Sequence, residues 1–212
     1  MSNHQHDHDH DHDQDHDHHF PTPASYGLLD RLVNALVSKG IVSITELEQT
    51  RVETEKGNPQ HGAKMVVKAW LDLDYKNLLL RDGVAAAEAI GHSMVGAPPL
   101  GVLENTPEIH HMIVCTLCSC YPRKLLGYPP DWYKSSAYRA RAVRNPRSLL
   151  DEWGIKLQPQ TEIRVVDSTA DYRWMVLPMR PSGTENLTEE ELVKLVNRDC
   201  LVGAGLPDSK VD

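Results

Sequence analysis

Three cysteines within six residues constrain this chain more than any other feature. They lie in Val114-Cys115-Thr116-Leu117-Cys118-Ser119-Cys120-Tyr121-Pro122, a C-x-x-C-x-C spacing. In a C-x-x-C turn two thiolates converge on one ion, because the intervening backbone closes a tight loop. The third cysteine reaches the same ion only if the Ser119–Cys120 backbone also faces it. A deprotonated peptide nitrogen then becomes an available ligand, as with trivalent metals. Spacing alone favours a metal site, with zinc first, and a tetrahedral zinc would draw its fourth ligand from Cys200, His110 or His111. A redox disulfide pair with a spare thiol, or simple burial of small apolar side chains, stays open at this point.

The remaining composition narrows the class. The 212 residues suffice for one compact domain with appendages, and 40% hydrophobic with 25% charged residues is ordinary for a globular protein. The formal charge of −8 comes mostly from Asp7, Asp9, Asp11, Asp13, Asp15 and Asp17. Setting those six aside leaves 24 acidic against 22 basic residues, so no basic field suggests nucleic acid. No apolar run approaches the roughly 20 residues a bilayer span requires, so no membrane partner is expected. The N-terminus lacks the basic start and apolar stretch of a secretory signal, which makes the cytoplasm the expected compartment. Four cysteines in a chain of this size do not make a disulfide scaffold, and Cys200 reads as a bystander.

Residues 1–20 form a His/Asp-rich tail with no hydrophobe before Phe20 except Met1, and disorder is expected there. Imidazole suits divalent metals, so His4, His6, His8, His10, His12, His16, His18 and His19 read either as a cobalt-capturing segment or as a solubilising tail with incidental affinity. Leu28, Leu29, Leu32, Leu36 and Val37 recur at helical spacing and stop at Gly40. Ser43 with Glu46 reads as a capping box opening a second helix that runs to about Gly57. Further helical patterns follow through Met65–Trp70, Tyr75–Leu80 and Val84–Ile90. Strands are expected at Ile109–Val114, Glu162–Val166 and Tyr172–Leu177, and helices at Ser136–Val143, Pro146–Trp153 and Thr188–Val196. The early amphipathic helices would make only a small core alone and are expected to pack on another surface.

The string Cys-Thr-Leu-Cys-Ser-Cys resembles the signature of nitrile hydratase α subunits and the equivalent thiocyanate hydrolase γ subunits. The likeness spans nearly the whole chain. It includes Gly62-Ala63-Lys64 with Val67-Lys68-Ala69-Trp70, and Glu104-Asn105-Thr106-Pro107 ahead of the cluster. Beyond the cluster it includes Pro130-Asp131-Trp132-Tyr133-Lys134, Tyr138-Arg139, Pro146-Arg147 and Arg164–Asp167-Ser168. Leu177-Pro178, Arg180-Pro181, Gly183-Thr184 and Arg198-Asp199 complete it in order.

The resemblance implies an α+β fold, with a layered α-β-β-α catalytic domain over 71–212. It implies a helical arm over 21–70 that packs on a partner subunit. Cys115 would be an unmodified axial thiolate, Cys118 a sulfinic and Cys120 a sulfenic acid, and the backbone nitrogens of Ser119 and Cys120 would complete the equatorial plane. Thr116 is similar to the cobalt members, which implies one low-spin Co(III) per chain rather than iron. Cys120 would act as nucleophile or base, with Ser119 hydrogen-bonding in the site. A β-type partner subunit and a metal-delivery or activator protein are implied as well.

Two departures bear on the substrate. Tyr121-Pro122-Arg123 replaces a Tyr-Pro-Trp, and Arg123 resembles thiocyanate hydrolases, where a cation suits an anion; an arginine pairing with a partner subunit reads equally well. A glutamine of many nitrile hydratases is replaced by Gly96, followed by Ala97-Pro98-Pro99. Asp199-Cys200-Leu201 and the tail are also similar to the γ chains, whereas Glu104-Asn105-Thr106-Pro107 and Gly205-Leu206-Pro207 are similar to nitrile hydratases. The balance of these residues leads to nitrile hydration, with thiocyanate hydrolysis as the alternative. A structural zinc protein and a metal-storage protein are the competing classes.

Overall fold

The computed structural model describes residues 23–210, so the His/Asp tail lies outside the described residues. The chain divides into two compact units, one ending at Ile41 and the other running from Val42. The first contains helix α1, Pro23–Ser38. Gly40, at φ 65°, ends it: its N–H donates to Val37 O (3.0 Å) and that of Ile41 to Leu36 O (3.0 Å). That pair of bonds is a Schellman turn, which glycine enters without steric cost.

The second unit opens with α2, Ile44–Glu55. The expected capping box is present, with Ser43 N–H donating to Glu46 (2.8 Å) and Glu46 N–H to Ser43 Oγ (3.1 Å). Helix α3 (Pro59–Leu71) starts at an Asn58 cap with Pro59 in its first turn. Its Met65, Val66 and Val67 are completely buried. The apolar stripe of α3 is therefore part of the core. Asp72 and Asp82 cap the next two helices, α4 (Leu73–Arg81) and α5 (Gly83–Ala89), by accepting from Tyr75 N–H and Ala85 N–H.

Two parallel ladders follow. Strand β1 (Leu100–Glu104) pairs with β4 (Arg173–Leu177), and β2 (Ile109–Val114) with β3 (Glu162–Asp167). Parallel pairing requires a long crossover. Between β2 and β3 the chain runs through α6 (Arg123–Leu126), α7 (Asp131–Lys134), α8 (Ser136–Arg144) and α9 (Pro146–Glu152). Helix α10 (Glu189–Leu195) and a 3₁₀ turn (Asp199–Val202) close the fold. Helices α4 and α5 pack on β1, α8 on β2, α9 on β3 and α10 on α3, while β2 also touches β4. Strand β1 was not expected, because Leu100-Gly101-Val102-Leu103 has no alternation and carries a glycine. Gly101 is required there: a Cβ would lie 2.3 Å from the Trp174 ring across the ladder. No described helix is long and apolar enough to cross a membrane.

Candidate metal centre

The cysteine loop leaves the carboxyl end of β2 at the point where Val114 is paired with Asp167, the last residue of β3. Ser168 N–H donates to Val114 O (2.7 Å), which fixes the end of the ladder. Asp167 then reaches forward. Its carboxylate accepts from both Thr116 N–H (3.1 Å) and the Thr116 hydroxyl. On the other side Arg139 of α8 donates to Thr116 O at 3.4 Å, and the Tyr133 hydroxyl of α7 donates to Cys120 O at 2.9 Å. The loop is thus held at both ends by elements 13 to 51 residues away.

Held in this way, the three sulfurs converge. Their Sγ atoms lie within 4.8 Å of one another, with 3.5 Å between Cys115 and Cys118 and 3.3 Å between Cys118 and Cys120. Cys115 is 1% and Cys120 8% exposed, whereas Cys118 faces out. The Cys120 and Cys115 thiols beside it, together with the Ser119 N–H, pull the Cys118 thiol below its usual range. Burial pushes Cys120 up to about 12, and hydrogen bonding with Cys118 adds to that. The Cys118 N–H donates to Cys115 Sγ at 3.3 Å, which closes the first turn of the loop around the sulfurs. Convergent soft sulfurs fit a thiolate-loving metal ion.

The residues offered as a fourth zinc ligand are engaged elsewhere. The ring of His110 contacts Gly203 O (2.8 Å) and Asn105 Nδ2 (3.2 Å), and His111 faces Asn105 Oδ1. Cys200 donates to Asn197 Oδ1 at 3.2 Å. Among the described residues, the cluster contains three cysteines and no further protein side chain of ligand type.

The cluster opens into a cleft of about 380 Å³, lined by Cys118, Ser119 and Cys120 and by Arg123, Lys124 and Arg173. Met94 and Gly96–Pro98 form another wall, and no acidic side chain among the described residues lines it. Arg123, the first residue of α6, is exposed, with its guanidinium 5.9 Å from the Tyr128 ring centre. Gly96 has φ 75°, a backbone that a glutamine would strain to adopt. Lys124 ties this wall to α6 by donating to Val95 O. Arg173 and the Asp167 clamp were not singled out from sequence, since both depend on strand register.

The family model for the nitrile hydratase alpha chain matches residues 26–205. The chain belongs to that family. It is 49% identical over 173 residues to the alpha subunit of the low-molecular-weight cobalt-containing nitrile hydratase of Rhodococcus rhodochrous, covering 81% of this chain and 84% of that one. It is 43% identical over 196 residues to the gamma subunit of thiocyanate hydrolase from Thiobacillus thioparus, covering 87% and 81%. A solved recombinant thiocyanate hydrolase with partially modified cobalt centers superposes with a TM-score of 0.81 at 40% identity, over 86% of this chain and 90% of that one. Both named branches of the nitrile hydratase alpha family are therefore close to this chain in sequence, and the fold and enzyme class follow from that membership.

Proposed function

We propose that the chain is the metal-bearing subunit of a cobalt nitrile hydratase, converting a nitrile to its amide. The observation that carries this reading is the convergence of three sulfurs beside a cleft. Cys115, Cys118, Cys120 and the Ser119 and Cys120 nitrogens are the proposed ligands of one low-spin Co(III). A trivalent cobalt held there supplies a Lewis acid and lowers the pKa of bound water. The protein's own part is to deliver and orient the substrate. Cys118, on the exposed side, and Cys120, at the cleft floor, are the proposed sulfinic and sulfenic positions. Ser119 and Cys120 line the cleft, and the Ser119 hydroxyl and the Cys120 sulfur group are the proposed contacts of the nitrile.

A second reading, thiocyanate hydrolysis, is favoured by one specific observation: three cationic side chains, Arg123, Lys124 and Arg173, line the cleft. Such a wall suits an anion. A β-type partner subunit is proposed to cover the apolar residues that α1 and α2 expose, including Leu28, Leu32 and Ile44. The layered α-β-β-α arrangement is supported by helices packed on both strand pairs. An activator protein and a cytoplasmic location complete the proposal.

The test is metal analysis and peptide mass spectrometry of the complex co-expressed with its genomic neighbours. Cobalt is expected, with two oxygens on Cys118 and one on Cys120. Stoichiometric zinc with unmodified thiols in an active complex would overturn the reading. Parallel assays with a nitrile and with thiocyanate separate the two substrates.

A further inference from the structure

Among the described residues, three buried side-chain polar atoms have no hydrogen-bond partner: Tyr121 Oη, Arg139 Nε and Arg173 Nη1. A folded protein rarely leaves buried donors unpaired. All three flank the cysteine loop. Tyr121 follows Cys120 directly, Arg139 already donates to Thr116 O, and Arg173 lines the cleft with Cys118, Ser119 and Cys120. Their shared address implies that acceptors belong at the cluster beyond those the folded chain supplies.

Arg173 is the best placed to meet such an acceptor. It opens β4, where it pairs with Leu100, and its N–H donates to Pro99 O (2.9 Å). Its backbone is therefore fixed to the Pro98–Leu100 wall of the same cleft. Three thiolates would bring three negative charges into a space within 4.8 Å. Peptide nitrogens that give up their protons add more, and together they exceed the charge of a trivalent ion. Such a cluster needs a cation, and Arg173 is one of three cationic side chains that line the cleft.

We propose that Arg173 is a positioning residue for the cluster, its buried guanidinium N–H donating to the anionic sulfur group of Cys120. The chain then supplies one of the cluster's stabilising cations itself, in addition to whatever a partner subunit contributes. A planar, permanently charged fork suits the task, because it can hold a sulfur-borne oxygen and still satisfy a backbone acceptor.

The inference rests on the cobalt reading above, and its test keeps the two apart. The complex with its partner is prepared as parent, Arg173→Met and Arg173→Lys, with assembly checked by gel filtration and folding by circular dichroism. Cobalt per chain, the rate of cobalt loss to a chelator, the thiolate-to-cobalt absorption band and the oxygens on Cys118 and Cys120 are then measured. Methionine keeps the stem and removes the charge. It should raise the rate of cobalt loss by about 10- to 100-fold, the range for residues that orient metal ligands, and shift the absorption band. Lysine should recover part of the loss. A methionine complex with parental retention and absorption overturns the inference, as does a lysine variant no better than methionine. A parent complex without cobalt would instead defeat the functional reading itself.

Discussion

Asp167 spends both carboxylate oxygens on a single residue, accepting from the N–H and the hydroxyl of Thr116. The two are 51 positions apart, so Thr116 is legible in the sequence as a family marker while its clamp is not. The clamp sits at the last register pair of β2 and β3, one residue before Cys115. Hydrogen bonds to a charged group are worth about 1.5–3 kcal/mol each when shielded, and Asp167 is exposed, so the lower end applies. Asp167→Ala should therefore leave the fold nearly as stable but let the loop move, lowering cobalt per chain. Asp167→Asn should retain most of it, since an amide can accept from the N–H and donate to the hydroxyl. Metal analysis with melting curves for both variants decides. Equal cobalt in the alanine variant and the parent would show that the clamp does not hold the cluster.

Between elements, one close backbone approach is where the break between α2 and α3 meets α6. A Cβ on Gly57 would lie 2.1 Å from Arg123 O and 2.7 Å from Gly127 N, both backbone atoms that cannot swing away. Asn58 N–H also donates to Leu125 O (3.0 Å). Gly57→Ala should cost about 1–3 kcal/mol, seen as a lower urea midpoint at unchanged slope. An unshifted midpoint would mean that the junction yields freely. Strand β2 makes a second case. Burial pushes both His110 and His111 below the usual imidazole range, and the Asn105 and Gly203 contacts of His110 suit a neutral ring. The unfolded chain therefore binds more protons, so stability is full above about pH 6.5 and falls as the pH drops below it. Urea midpoints at pH 7.5 and 5.5 should show this, with a shallower slope in His110→Asn; a parallel slope would assign the effect to other groups. Local signals made most elements readable: the Ser43–Glu46 box, the Thr188–Glu191 box and the glycine stops at Gly40 and Gly154 all appear as expected. What remained hidden was non-local. Nothing along the chain says that Leu100–Glu104 pairs with Arg173–Leu177 rather than with its neighbour, and Arg173 becomes a cleft residue only through that pairing.

At the scale of the molecule, the main feature is how much apolar surface the early helices leave uncovered. Tyr26, Leu28, Leu29 and Leu32 of α1 are 53–61% exposed, and Ile44 of α2 is 60% exposed. A helix of 16 residues is marginal in water unless its apolar face is packed. This chain nevertheless invests in the helix locally, with a Schellman turn at its end. A capped helix with an exposed apolar row has the form of an interface waiting for its partner. Burying two leucine side chains contributes about 3–6 kcal/mol, so exchanging Leu28 and Leu32 for lysine should weaken association with the β-type subunit about a hundred- to ten-thousand-fold. Lysine is a good helix former, so α1 itself should survive the exchange. The measurement is co-purification of the double variant with the tagged partner, alongside its circular dichroism. Because the cluster lies in the second compact unit, a metal-delivery protein should still load the unassembled double variant if loading needs no interface. Complexes that form as well as the parent's would mean that some other surface carries the assembly, and that the exposed row on α1 serves a different contact.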